Sequence, residues 1–154
     1  MKYNYVFAVK DINVARKFYE ELFGLVVVDD FGRNIAFESG LSLQQDFDWL
    51  TGIPKNEMKD KENNCEIYFE AENFSEFLGR LKKRDDITLL HDVVMHSWGQ
   101  RVIRFYDLDN HLIEVGEAMK AVVVKFQQKG MSIKEIAGAM DVAEGDVLKM
   151  LEKG

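Results

Sequence analysis

The sequence contains very little cysteine and proline. One cysteine, Cys65, and one proline, Pro54, occur in 154 residues. A single cysteine excludes an intramolecular disulfide and is typical of a protein kept in a reducing compartment. No apolar run approaches the roughly 20 residues that a membrane-spanning helix needs. The N-terminus also lacks a signal-peptide pattern, so we expect a cytoplasmic protein that does not contact the membrane.

Positively charged residues are fewer than negatively charged ones. Lysine and arginine total 20 against 27 aspartate and glutamate residues, which gives a net charge of −7. A molecule whose whole surface binds nucleic acid needs an excess of cations, so the composition disfavours that class. The rest is ordinary for a globular protein, with 47% hydrophobic and 31% charged residues. The length favours one compact domain, or one with a small appendage.

The order strand–helix–strand–strand–strand is predicted twice along the chain. The first half predicts a strand, a helix and three strands at 4–9, 12–23, 25–29, 35–38 and 41–44. The second half predicts the same elements at 66–71, 74–81, 88–94, 100–106 and 112–115. Asn4 of the first half then aligns with Glu66 of the second. We therefore expect two modules, at about 1–45 and 64–117.

A polar segment, 46–63, links the two modules. It has no helical or strand periodicity and contains Pro54 and Trp49. A loop of this length inside a compact domain is often functional. Our hypothesis is that Trp49 closes over a binding site or anchors a partner subunit.

The tail, 118–154, has a different pattern from the modules. A helix is predicted at about 117–128, and Ser132 and Glu135 have the spacing of a capping box. The run "MSIKEIAGAMDVAEGDVLKML" predicts a helical hairpin and resembles a helix-turn-helix. Residues 117–154 hold six lysines and six acidic residues, and the second helix of the motif begins with Glu144 and Asp146. DNA binding depends on cationic contacts with phosphate, so nucleic acid is not the expected partner. We expect the apolar helix faces to dock on the protein or to form a dimer contact.

Two motifs carry a resemblance to a known family. "FYEELFG" follows the first strand, and "FYDLDNHLIEV" spans the last predicted hairpin. Together with the doubled pattern, they resemble the vicinal oxygen chelate superfamily, which includes glyoxalases, dioxygenases, and fosfomycin and bleomycin resistance proteins. The resemblance covers about 3–117. It implies an α+β fold in which two βαβββ modules form a curled mixed sheet around a cup, within a domain at 1–117, and it implies a homodimer.

The resemblance also implies where a site would lie. In metal-using members, the first and last strands of each module supply the ligands, and these places fall on Asn4, Ser42, Glu66 and Glu114. Asparagine and serine are poor ligands for Mn²⁺, Fe²⁺, Ni²⁺ or Zn²⁺. The leading interpretation is therefore a protein that binds a small organic ligand in the cup, with no obligatory metal. The alternative is a lyase, isomerase or dioxygenase in which Glu66 and Glu114 hold a divalent metal ion.

Further side chains are candidates for the cup. Two neighbouring carboxylates retain a proton more readily than one, so Glu114 is the candidate catalytic acid. Tyr68 and Trp98 are expected in the cup wall, with His96 leaning toward it. A third possibility for Glu66 and Glu114 is a structural ion pair with Arg101 or Arg104, because buried charge is usually paired. His111, in the predicted hairpin turn, is expected to be solvated.

Overall fold

A computed structural model describes residues 3–152 of the chain. These residues form two compact units. The first contains the chain up to Cys65 together with Tyr106–Leu112, and the second contains Glu66–Phe105 together with the chain from Ile113 onward. The predicted α+β class, with two βαβββ modules and C-terminal helices, is confirmed.

The first unit holds one four-stranded mixed sheet in the order β1-β4-β3-β2. Its elements are β1 (Tyr5–Val9), α1 (Ile12–Phe23), β2 (Val27–Asp30), β3 (Asn34–Phe37), β4 (Leu41–Gln45) and the short α2 (Phe47–Thr51). Helix α1 begins where Asp11 caps it, accepting hydrogen bonds from the amides of Asn13 and Val14. It ends at Gly24, whose φ of 67° is a conformation that glycine adopts without strain.

The second unit repeats this arrangement, with sheet order β5-β8-β7-β6. Its elements are β5 (Ile67–Ala71), α3 (Phe74–Leu81), β6 (Thr88–Met95), β7 (Arg101–Tyr106), β8 (Leu112–Glu117), α4 (Met119–Gln128), α5 (Ile133–Met140) and α6 (Glu144–Glu152). Asn73 caps α3 by accepting from the amide of Glu76 at 3.1 Å. The ring of Phe77 stacks on Phe105, so α3 covers the sheet face to which Phe105 points.

The strand registers show which positions of the two modules are equivalent. Strand β1 pairs in parallel with β4 and places Val6 opposite Ser42. Strand β5 pairs in parallel with β8 and places Tyr68 opposite Glu114. Because the sequence alignment matches Val6 with Tyr68, Ser42 and Glu114 stand at equivalent positions in their own sheets.

The C-terminal helices pack around their own apolar cluster. Its buried members are Val122, Val123, Ile136, Ala137, Met140 and Val147. Trp98, from the turn between β6 and β7, packs against this cluster. The predicted capping box of α5 is present, with Ser132 accepting from the Glu135 amide and Glu135 accepting from the Ser132 amide. The first tail helix begins at Met119 rather than at the predicted Glu117, because Glu117 still belongs to β8.

The linking segment is more ordered than its sequence pattern predicts. It contains α2 and one 3₁₀ turn, Lys55–Glu57. Trp49 on α2 is exposed, and the guanidinium of Arg33 lies 5.3 Å from the centre of its ring. Within residues 3–152, no helix combines the length and the apolar character needed to cross a bilayer.

Candidate functional site

The face of the second sheet that points away from α3 is lined with polar side chains. Successive residues of a strand point to opposite faces, so Arg104 lies on the face opposite Phe105. Arg104 contacts both Glu66 and Glu114, and Tyr68 lies beside Glu114 in the strand register. We call this surface the polar face, formed by Glu66, Tyr68, Gln100, Arg104 and Glu114.

The guanidinium of Arg104 is the centre of the polar face. Its Nε donates to Glu66 Oε2 at 2.9 Å, and its Nη2 forms an ion pair with Glu114 Oε2. The Glu114 side chain is 8% exposed, against 22% for Arg104 and 35% for Glu66. Glu114 is therefore a buried carboxylate neutralised by arginine, and Glu66 is the partner that solvent or a ligand can reach.

His91 completes the surroundings of Arg104. Its Nε2 lies 3.5 Å from Arg104 Nη1, and its Nδ1 lies 2.7 Å from the Asp92 carbonyl oxygen. Both ring nitrogens are therefore near groups of the protein itself. His91 lies within β6.

A divalent metal ion is the cofactor that the sequence resemblance implies at this place. Among residues 3–152, no group of three or more histidine, cysteine, aspartate or glutamate side chains could hold such an ion. Glu66 and Glu114 do lie close together, but the Arg104 guanidinium contacts both of them, and Glu114 is almost fully buried. A metal ion held by both carboxylates would lie beside the Arg104 guanidinium and be repelled by its charge. The residues present therefore do not fit a metal ion in this arrangement.

A chain of hydrogen bonds crosses the polar face. Trp98 Nε1 donates to Gln100 Oε1 at 3.0 Å, and Gln100 Nε2 donates to the Tyr68 hydroxyl at 2.9 Å. The Tyr68 hydroxyl in turn donates to Glu70 Oε2 at 3.3 Å. Burial is the main cause that raises the pKa of Tyr68, the nearby Glu70 charge raises it further, and the bond from Gln100 acts in the opposite direction. Tyr68 thus remains a neutral donor at physiological pH.

Gly116 leaves space for the side chains of this hydrogen-bond chain. A Cβ atom there would lie 2.7 Å from Gln100 Nε2 and 2.8 Å from Tyr68 Cε2. Both distances are too short for real atoms, so any side chain at this position would displace Tyr68 or Gln100. The sequence shows only a glycine next to a strand and gives no sign of this requirement.

The candidate residues named from the sequence fall into three groups. Glu66, Tyr68 and Glu114 come together on the polar face. Trp98 and His96 stack on each other at 4.2 Å in the turn before β7, and Trp98 reaches Tyr68 only through Gln100. Asn4 and Ser42 belong to the first unit, where Asn4 is exposed before β1 and Ser42 is buried in β4.

Glu117 is a second buried carboxylate that the sequence did not indicate. Arg101 Nη2 donates to its Oε1 at 3.0 Å, and Lys125 of α4 pairs with the same oxygen. Burial acts to raise its pKa, but the hydrogen bonds from Arg101 and Lys125 outweigh burial, and the net effect is a lowered pKa. This network connects β7, β8 and α4.

The prediction that His111 is solvated is wrong. Its ring stacks on Phe7 at 4.1 Å, and its Nδ1 lies 2.8 Å from Asp107 Oδ2. Tyr19 donates to the same carboxylate oxygen at 2.7 Å. Burial and the neighbouring Asp107 charge raise the pKa of Tyr19. The rings of Phe7, Tyr19 and His111 and the buried Asp107 carboxylate form a packed cluster within the first unit.

The chain has two βαβββ modules, and in each the first strand pairs in parallel with the last. This is the fold of the glyoxalase, bleomycin resistance and dioxygenase proteins. Residues 2–120 match the family model of the glyoxalase-like domain. The chain belongs to the glyoxalase-like domain family. The match ends at Lys120, so most of the helical tail lies beyond it.

Solved structures with the same fold include proteins of several kinds. A protein of unknown function from Agrobacterium tumefaciens is 32% identical, with a TM-score of 0.64, over 76% of this chain and 94% of that one. A fosfomycin resistance protein from Listeria monocytogenes is 21% identical (TM-score 0.56, 76% and 92% covered). A lactoylglutathione lyase from A. tumefaciens is 20% identical (TM-score 0.56, 76% and 92% covered). At these last identities the likeness concerns the fold alone, and no protein of curated function matches the chain.

Proposed function

We propose that this protein binds a small organic ligand at the polar face and needs no metal ion to do so. The observation that carries this proposal is the position of Arg104, whose guanidinium contacts both acidic side chains at which family members place a metal. A fixed cation at that point keeps two carboxylates close together without an added ion. The chemistry available to a ligand is then hydrogen bonding and charge pairing.

The charges of the polar face favour a ligand with a cationic group. Two carboxylates, on Glu66 and Glu114, contact the single guanidinium of Arg104, and a third, on Glu70, accepts from the Tyr68 hydroxyl. Glu66 is the most exposed carboxylate that contacts Arg104, so a ligand cation can pair with it while Glu114 keeps its arginine. Small-molecule sites generally use a few such polar groups in fixed positions to set orientation.

The tyrosine of the polar face would contribute a neutral hydrogen bond. Tyr68 is half-exposed, and its hydroxyl is fixed by Gln100 and Glu70. A site whose donors and acceptors are fixed beforehand loses less entropy when a ligand binds. Glu66 and Tyr68 are therefore the residues proposed to touch the ligand, and Glu114 is proposed to position Arg104.

Benzamidine, a flat organic cation, is a suitable probe for this proposal. We expect amide NMR shifts in β5 and β8 when it is added to protein in EDTA, because Glu66 precedes β5 and Glu114 lies in β8. Glu66→Gln should weaken binding about tenfold, the equivalent of about 1.4 kcal/mol. Benzoate, which has the same ring and the opposite charge, is the matched control and should cause no such shifts.

Two results would contradict the proposal. One is that benzamidine shifts no amide of β5 or β8. The other is that binding appears only after Mn²⁺, Ni²⁺ or Zn²⁺ is added, which would favour the alternative of a metal-dependent lyase, isomerase or dioxygenase. A homodimer and a cytoplasmic location remain predictions beside this proposal.

A further inference from the structure

We propose a second small-molecule site, formed by the turn before β7 and the C-terminal helices, that takes an aromatic amine. A cavity of about 430 Å³ lies there, lined by Ser97, Trp98, Met119, Met140, Asp141 and Val142 among others. This volume falls within the range of about 300–1,000 Å³ that small-molecule pockets occupy. The site is distinct from the polar face, and most of its wall follows Lys120, where the family match ends.

The wall of the cavity combines apolar and aromatic side chains with the polar Ser97 and Asp141. Trp98, Met119, Met140 and Val142 contribute an indole, two thioethers and a branched aliphatic group. Thioethers adapt to irregular shapes and make favourable contacts with aromatic rings. The four apolar and aromatic side chains suit a flat ring, and the polar ones suit an amine attached to it.

The aromatic wall is held in place before any ligand binds. Trp98 Nε1 donates to Gln100 Oε1 at 3.0 Å, and the His96 ring stacks on the indole at 4.2 Å. The backbone amide of Met119, another residue of the wall, donates to Glu70 Oε1 at 3.1 Å. A wall with fixed side chains lowers the entropy that binding must overcome.

Asp141 supplies the charge that selects the ligand. Among the described residues that line the cavity, it is the only one with a charged side chain. It ends α5 with a φ of 56°, and its amide bonds back to the helix, so its backbone is fixed. A carboxylate at the edge of an apolar cavity pairs with an ammonium group and repels an anion.

The two tryptophans of the chain allow a direct test. Trp49→Phe leaves Trp98 as the only indole, because the sequence contains two tryptophans. In this background we expect phenethylamine to change Trp98 fluorescence in a saturable way. 3-Phenylpropionate, with a similar shape and the opposite charge, should have no saturable effect.

Asp141→Asn removes the charge and keeps a residue that tolerates the left-handed conformation. We expect it to weaken phenethylamine binding about tenfold. Asp146→Asn, a similar change outside the cavity lining, is the matched control and should leave binding unchanged. Ala139→Leu should weaken binding by narrowing the cavity, because Ala139 is part of its wall.

The proposal is overturned if phenethylamine gives no saturable change, or if phenylpropionate binds equally well. It is also overturned if Asp141→Asn and Asp146→Asn have the same effect. A circular dichroism spectrum of each variant establishes that it is folded before the comparison is made.

Discussion

The change Arg104→Gln tests the part of the structure on which the proposed function depends. It removes the guanidinium that contacts Glu66 and Glu114 and leaves two neighbouring carboxylates without their cation. Glu114 is almost fully buried, so water cannot replace the lost partner well. We expect the variant to unfold at a clearly lower denaturant concentration.

The size of the effect follows from burial. Removing one partner of a buried ion pair costs about 3–5 kcal/mol, whereas an exposed pair contributes about 0–1 kcal/mol. The Arg104–Glu114 pair lies nearer to the buried limit, and partial solvent access to Arg104 reduces the cost. We expect Arg104→Gln to lower the free energy of unfolding by about 2–3 kcal/mol.

Urea unfolding at pH 7 measures this free energy, and a double-mutant cycle isolates the pair. When Glu114→Gln is already present, Arg104→Gln should cost about 1 kcal/mol, because no buried charge is then left unpaired. Arg80→Gln is the control, since Arg80 pairs with Glu76 on the exposed side of α3 and should cost about 0.5 kcal/mol. Equal costs for Arg104→Gln and Arg80→Gln, or a coupling energy of zero in the cycle, would refute the reasoning.

Three further predictions concern other parts of the chain. Because folding lowers the pKa of Glu117 below its ordinary value of 4.5, its carboxylate stabilises the fold above that pH, and the stabilisation is lost as the pH falls. Glu117→Gln should therefore flatten the acid side of a curve of unfolding free energy against pH, and an unchanged curve would argue against the network. Gly116→Ala should cost about 1–3 kcal/mol in urea unfolding and shift the ultraviolet titration of Tyr68, and no effect on either would contradict the close contact. Asp107→Asn should cost about 2 kcal/mol and bring the pKa of Tyr19 closer to its ordinary value, and an unaltered Tyr19 titration would contradict the hydrogen bond.

The elements of this fold that depend on local chemistry were predictable from the sequence. Asp11 and Ser132 cap their helices, and Gly24 ends α1, because capping needs only residues a few positions apart. The doubled βαβββ order was predictable for the same reason, since each element has its own periodicity. Once the repeated order of elements was recognised, Ser42 and Glu114 could be matched as equivalent positions in the last strands of the two modules. The strand registers agree with this match.

The partners of the site could be predicted only in part, because they depend on which face of a strand each side chain occupies. In "RVIRFY" both faces carry large residues, so the pattern left Arg101 and Arg104 as equal candidates for Glu66 and Glu114. The contact between Phe77 and Phe105 settles the face of Arg104, and that contact joins a helix and a strand far apart in sequence. Glu117 was assigned to a helix because its pairing with Ala71 across the sheet is also non-local.

The contacts of His111, which lies in a turn, also involve residues far apart in sequence. Its position between two strands indicates a solvated side chain, although Asp107, with which it pairs, is only four residues earlier. Phe7, on which it stacks, and Tyr19, which shares Asp107 with it, are about a hundred positions earlier in the chain. Only the three-dimensional structure shows that these groups meet.

The most direct test of the central claim is a metal-binding titration of the native protein. The protein is treated with EDTA, freed of chelator and titrated with Mn²⁺ and Zn²⁺ by calorimetry. If the Arg104 guanidinium occupies the place of a metal ion, neither ion should bind stoichiometrically at micromolar concentrations. Stoichiometric binding that Glu114→Gln abolishes would contradict the account, because it would mean that the two carboxylates coordinate a metal and not the arginine.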